Sequence, residues 1–235
     1  MAWHLKWYEI QDSVDYWKLL EQPKILYPDI TWRSQFSLDT GGHYSNNTVY
    51  FLSTVSAWVL TVLNSPLLWS YCWREAVHGK DEALRFFTDF VERIPIAPAT
   101  DDVLAEVEPA VARLIAITQA NQAARRDTLD WLRSEFGVEA VGQKLAEFAS
   151  LSADGFIDEV KKRRPRSAGT LTVGGLKALR AGYVEQATPL YGRAGEALAL
   201  ERRLAALVNA AYGLRAEDVA LLWRTAPPRM PVGRG

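Results

Sequence analysis

A single cysteine, Cys72, occurs in the 235 residues, which excludes an internal disulfide framework and any site built on several thiolates. That usage fits a reducing, cytoplasmic setting. Histidine is almost as scarce: His4, His43 and His78 stand far apart, with no His-Glu-x-x-His helix and no Cys/His spacing suited to zinc. No metal site is expected. An excess of charge is missing too, because the net charge is −1; no global basic field draws in nucleic acid, so any such binding rests on local patches. The start, MAWHLKWYEI, lacks the basic and apolar regions of a secretory signal. The longest apolar-rich run, residues 55–73 (VSAWVLTVLNSPLLWSYCW), is split by Asn64-Ser65-Pro66 into pieces too short to cross a bilayer. Two buried helices joined at Pro66 are expected there, and no membrane partner.

Catalytic patterns are also lacking. The sequence has no Gly-x-Ser-x-Gly elbow, no Gly-x-x-x-x-Gly-Lys phosphate loop and no Gly-x-Gly-x-x-Gly fingerprint. Gly41-Gly42 and Gly174-Gly175 read as turns. The carboxylate pairs Asp12/Asp15 and Glu106/Glu108 are easily solvated, and nothing in their spacing places them across a cleft. No residue is therefore assigned a catalytic role, and whether the chain belongs to an enzyme is left open.

What the sequence does contain falls into two parts that differ in composition near residue 100. Seven of the nine tryptophans (Trp3, Trp7, Trp17, Trp32, Trp58, Trp69, Trp73) precede that point, and the remainder is rich in Ala, Leu, Arg and Glu. Before it, residues 24–27, 33–38 and 48–53 are β-prone and separated by the turn formers Pro28, Gly41-Gly42 and Asn46-Asn47. Helices are expected over 54–63 and 66–78, and an edge strand over 85–98, which alternates and closes on two prolines. Beyond 100, Val103, Val107, Val111, Leu114 and Ile117 recur at helical spacing, so a long amphipathic helix is expected to about residue 135. A short helix capped by Ser152, a loop over 167–175, a helix over 193–212 closed by Gly213, and a last helix over 216–223 follow. The fold class is α+β: a small antiparallel sheet with helices, followed by an α-helical region. Its expected divisions are 1–100, a helical spacer or docking region over 101–225, and a disordered tail over 226–235.

Groups suited to contact are plentiful. In a strand, Arg33 and Gln35 would share a face with Trp32 opposite, and Arg and Gln are the side chains that pair bidentately with guanine and adenine in the major groove. His43, Tyr44, Asn46 and Asn47 extend this inventory into the following turn. The polar face of an ordinary sheet would look the same. Residues 161–166 (KKRRPR) carry five basic side chains in six, enough for several salt-sensitive phosphate contacts, though a solvated helix end has the same composition.

The order of segments adds a resemblance. WYEIQDSVDYWKLLEQPKILYPDI (7–30), the FSLDTGGHYSNNTVYFL strand pair, LTVLNSPLLWSYCW (60–73) and RFFTDFVERIPIAP (85–98) resemble the TaqI-like C-terminal specificity domain of adenine-specific DNA methyltransferases, including Eco57I-type restriction-modification enzymes. The K-I-x-Y-P-x-I, L-N-S-x-L and I-P-I-P-like elements recur at residues 24–30, 63–67 and 94–98. LSADGFIDEVKK (151–162) and LVNAAYGLRAEDVALL (207–222) look like the tail of the same enzymes, with Arg215 where a capping Thr is frequent. The resemblance implies a target recognition domain over 1–100 and double-stranded DNA as partner. Trp32, Arg33, Gln35, His43, Asn46 and Asn47 are then candidates for base or phosphate contact, and Lys161, Lys162, Arg163 and Arg164 for the backbone. It also implies a methyltransferase domain or subunit that binds S-adenosylmethionine and carries an Asn-Pro-Pro-Tyr-type tetrapeptide. Neither element is in this sequence, so no cofactor is expected here and the chain is expected to be the specificity part of a larger enzyme or complex. A non-catalytic interaction scaffold, docking through helices 101–135 and 193–212, is the alternative.

Overall fold

A computed structural model describes residues 17–232; the expectations for Trp3, His4, Trp7, Asp12 and Asp15 fall outside the described residues. The architecture is α+β. The described residues group into two compact units, one running up to Glu108 and resuming at Arg202, the other Pro109–Glu201.

In the first unit the strands are β1 (Lys24–Pro28), β2 (Ile30–Thr31), β3 (Ser37–Asp39), β4 (Val49–Leu52), β5 (Val77–His78) and β6 (Leu84–Arg85). They form two antiparallel three-stranded sheets, ordered β3-β1-β4 and β2-β6-β5. Pro28 closes β1, and Asp29 turns the chain from one sheet to the other. Ile25 and Tyr27 alternate into the core, and Tyr27 lies opposite Tyr50 with ring centroids 5.8 Å apart. A row of rings continues from Tyr27 through Phe36, Phe86 and Phe90 to Tyr71 at spacings of 5.5, 5.7, 6.0 and 6.4 Å, with successive rings inclined by only 15–33°, within the separations at which aromatic pairs attract.

A buried ion pair sits inside this sheet. Lys24 and Asp39 are direct cross-strand partners, Lys24 is 0% exposed, and its Nζ lies 2.6 Å from Asp39 Oδ2 and 2.6 Å from the Leu20 carbonyl oxygen. Asp39 also accepts the backbone N–H groups of Gly41 at 2.9 Å and His43 at 3.0 Å, and meets His43 Nδ1 at 2.7 Å. Burial alone would raise the Asp39 carboxyl, but Lys24, His43 and the two backbone donors together hold it well below the usual carboxylate range.

The helices of this part are α1 (Trp17–Leu20), α2 (Ala57–Leu63), α3 (Pro66–Glu75) and α4 (Thr88–Val91). Ser56 caps α2 and Ser65 caps α3, with Pro66 in the first turn where no N–H is needed. The helix expected over 66–78 ends at Glu75, because residues 77–78 pair with β6 instead. Two expected strands are corrected. Residues 33–38 form a strand only from Ser37: the Thr31 hydroxyl donates to the Arg33 carbonyl and bends the chain. Asn64 then takes the place of a pairing strand, donating from Nδ2 to Phe36 O at 2.9 Å and accepting the Phe36 N–H at 3.2 Å. Residues 85–98 are not one strand either. After Leu84–Arg85 the chain makes the α4 turn, and the proline-rich segment beyond is tied by side chains rather than a ladder. Trp58 Nε1 donates to Ala97 O at 2.7 Å, the Tyr212 hydroxyl donates to Pro95 O at 2.6 Å, and the Ala97 N–H donates to Tyr212 Oη at 3.1 Å.

The long helices are α5 (Asp101–Phe136) and α8 (Val173–Ala211), with α6 (Gln143–Ala146) and α7 (Ala153–Arg163) between them and α9 (Ala216–Arg224) after. Gly137 at φ +66° stops α5, with the Val138 N–H returning to Leu132 O. Ser152 caps α7. Helix α8 starts some twenty residues before the expected 193, because Thr172 caps it through the Gly175 N–H at 3.1 Å; the loop therefore ends at Thr172 and the Gly174-Gly175 pair is helical. Arg215 cannot accept a bond as a capping Thr would, but Asp218 supplies the other half of the cap by accepting the Arg215 N–H at 2.9 Å. The tail is corrected in part: Pro227 is buried and Trp69 Nε1 donates to Pro228 O at 2.9 Å. The second unit has its own core, in which Leu132, Phe136, Phe148, Phe156, Leu179 and Tyr183 pack together.

Asp39→Asn leaves the Lys24 ammonium buried without its counter-charge, and the expected loss is about 3–5 kcal/mol, read by urea unfolding followed through tryptophan fluorescence. The folded Asp39 carboxyl titrates below its unfolded value of about 4. Its stabilisation is therefore complete above that pH and is lost as pH falls through the folded value. Acid unfolding of the wild type should begin below about pH 4, with this part of the acid limb absent in Asp39→Asn. Asn64→Ala strands the Phe36 N–H and carbonyl; a loss of about 1–3 kcal/mol and faster hydrogen exchange at the Phe36 amide are expected.

Candidate nucleic-acid interface

The strand-free stretch between β2 and β3 becomes a loop whose backbone is pinned while its long side chains stay out. Ser34 Oγ donates to Leu63 O at 2.8 Å, and Phe36 is held by Asn64. Trp32 is 44% exposed, and its Nε1 donates to Asp81 O at 2.9 Å, which fixes the indole while leaving much of its surface uncovered. Arg33 is exposed and forms no ion pair among the described residues. Gln35 is exposed, and its amide end lies 3.1 Å from the Thr31 oxygen, whose one proton goes to the Arg33 carbonyl. The three candidates thus share one loop rather than alternating on a strand.

The second cluster is the connection from β3 to β4. Gly42 takes φ +66°, and a Cβ there would stand 3.3 Å from the Glu21 carbonyl oxygen, so glycine is required. His43 spends Nδ1 on Asp39, yet its side chain is 78% exposed. Tyr44 is 61% exposed and donates its hydroxyl to Glu21 at 2.8 Å. That bond raises the pKa of the hydroxyl and keeps it a donor. Asn46 Oδ1 accepts both the Thr48 N–H at 3.0 Å and its hydroxyl at 2.6 Å, a local turn that leaves the amide nitrogen for a partner. Asn47 is exposed beside it.

Asp29, which the sequence did not single out, ties these pieces together. Its N–H donates to Thr48 O at 2.9 Å, its carbonyl accepts the Phe86 N–H at 2.7 Å, and its carboxylate takes Arg85 bidentately at 3.1 and 2.8 Å. Arg85 in turn lies over the Phe87 ring, 4.7 Å from its centroid. The visible signal was an Asp directly after a strand-ending Pro, with an Arg in a distant β-prone run.

The basic run belongs to the other unit, at the end of α7, and its members differ. Lys161 pairs with Asp158 at 3.1 Å and Arg163 with Glu159 at 3.0 Å. Arg164 is structural as well as charged, donating to the carbonyls of Phe136, Gly169 and Ala168 at 3.1, 3.1 and 3.2 Å. Lys162 is exposed with no ion-pair partner among the described residues.

S-adenosylmethionine would need a cavity with a partner for its ribose, and two cavities bear on it. One, of about 210 Å³, is lined by Val62, Leu68, Tyr71 and Tyr212; the other, of about 440 Å³, by Lys161, Arg164, Arg166 and Thr170. Neither has a carboxylate to hold a ribose, so these residues do not fit the cofactor and no transfer step is assigned to them. Among the described residues no cluster of metal ligands occurs, and no helix is long and apolar enough to cross a membrane.

Comparison with known families gives two matches. Residues 100–208 match a domain of unknown function (DUF8810). No curated protein and no solved structure matches the chain. The other match takes in both sheets, the pinned loop and the 40–48 connection: residues 2–96 match the TaqI-like C-terminal specificity domain.

Proposed function

We propose that the chain is the sequence-specific DNA recognition module of an N6-adenine DNA methyltransferase or restriction-modification system, and that it directs a catalytic domain not contained in these residues. The TaqI-like match over residues 2–96 carries this reading. The side chains support it: Trp32, Arg33, Gln35, His43, Asn46 and Asn47 stand exposed on segments whose backbones are internally bonded. Fixed backbone with free donors is what base readout requires, since ordering costs are then met by folding rather than binding. In this reading S-adenosylmethionine and the extrusion of the target base belong to the partner, and the module fixes register and sequence. In this reading the chain works in the cytoplasm. The helical part over 101–225 acts as spacer or docking region.

Anisotropy titration of fluorescent duplexes at low salt, with and without a cognate methyltransferase subunit, tests the proposal. Binding with preference among sequences is expected; a failure to bind in either case would overturn it and favour an interaction scaffold. Arg33→Ala should reduce discrimination at one base pair by about 1–3 kcal/mol, measured by competition between duplexes differing at single positions. Affinity for non-preferred duplexes should change much less.

A further inference from the structure

From residue 160 to residue 184 the sequence carries seven Lys and Arg residues and no Asp or Glu. Folding gathers part of this block around the cavity of about 440 Å³ lined by Lys161, Arg164, Arg166 and Thr170, with Leu171 and Leu176 beside them. Three of the seven, Lys161, Arg163 and Arg180, face the carboxylates of Asp158, Glu159 and Asp154, whereas the bonds of Arg164 satisfy its donors without supplying negative charge. Arg164 spends three N–H groups on carbonyl oxygens, which leaves two N–H groups and the full positive charge. Arg166 forms no ion pair among the described residues. Lys161 has one, with Asp158, but the two side chains are 49% and 73% exposed, and pairs so exposed are weak enough to exchange partners.

The wall of the cavity is also held in shape. Arg164 grips Ala168 and Gly169 from one side. Gly169 takes φ +64°, a turn that residues with a Cβ rarely make. Thr172 anchors the far end of the loop through its bond with the Gly175 N–H. Cations on a fixed frame, short of carboxylates and next to a hydroxyl, match an oxyanion with several acceptor oxygens.

We propose that this cleft is a phosphate site, and that its ligand is a phosphate of the DNA backbone, bound without regard to sequence. The identity of the ligand rests on the reading of the chain as a DNA-binding module; the oxyanion chemistry does not. Lys161 and Arg166 supply the exchangeable charge and Thr170 a hydroxyl, while Arg164 both binds and positions the loop.

The test uses the full chain and the double variant Lys161→Gln/Arg166→Gln, which spares Arg164 and its loop contacts. Anisotropy titrations on several unrelated duplexes across a salt series should show affinity reduced by the same factor for each, about tenfold, with the salt slope reduced by about 1. Sequence preference should persist. If the wild type binds DNA and the variant matches it in affinity and slope, the site is wrong while the recognition reading stands. A loss confined to one duplex sequence would also overturn it. If the wild type binds no duplex, the recognition reading fails and the site is decided by titrating inorganic phosphate against amide chemical shifts. Shifts at Gly169 and Thr170 that vanish in the variant would uphold an oxyanion site for free phosphate, and unmoved shifts would remove it.

Discussion

The first unit is organised around one buried charge pair. Lys24 and Asp39 face each other across neighbouring strands, and neither is exposed enough to be hydrated, so each needs the other in place for the sheet to form. That requirement fixes register: a one-residue slip of β3 against β1 would set the ammonium opposite Leu38 or Thr40 and expose the carboxylate. It also fixes the following turn, because the remaining acceptor capacity of Asp39 is used by Gly41 and His43. One carboxylate thereby connects strand pairing to the placement of the candidate reading residues beyond it.

A second constraint acts at the other candidate segment. Asn64, at the junction of α2 and α3, offers a side-chain amide that mimics a peptide group, and Phe36 pairs with it as it would with a strand. The loop before Phe36 is thus anchored to helices, and the ring of Phe36 enters the aromatic row between Tyr27 and Phe86. Arg33 and Gln35 are held near the core by their neighbours without being buried by them. Such an arrangement permits substitution of the outward side chains at little structural cost.

Much of this was legible in advance, and the reasons for the rest are physical. Helix α5 and the end of α8 were visible because period and end signals agree: Val107, Val111 and Ile117 are buried, and Gly137 and Gly213 take the left-handed conformation. Strands at 24–27 and 48–53 were visible from alternation and flanking turns. The segment 33–38 alternates equally well, but its backbone partner is a side chain 28 residues away, which no local pattern reveals. Gly174-Gly175 argued for a turn, and only the capping hydroxyl of Thr172 shows why α8 begins there. Arg163 and Arg164 looked equivalent in sequence. Tertiary contact separates them, since one faces Glu159 and the other closes the loop after α7.

The clasp formed by Tyr212 on Pro95 and Ala97 joins residues more than a hundred positions apart, and Trp69 reaches still further along the chain to Pro228. Closing loops of that size is entropically costly and late. During synthesis Tyr212 and Pro228 leave the ribosome long after the segments they bond. The unit Pro109–Glu201, continuous in sequence, is free to close first. The segment with the recognisable specificity sequence therefore differs from the segment that folds as one body, and a protein cut at residue 100 would keep its sheets while losing the contacts that tie down their flanking helices.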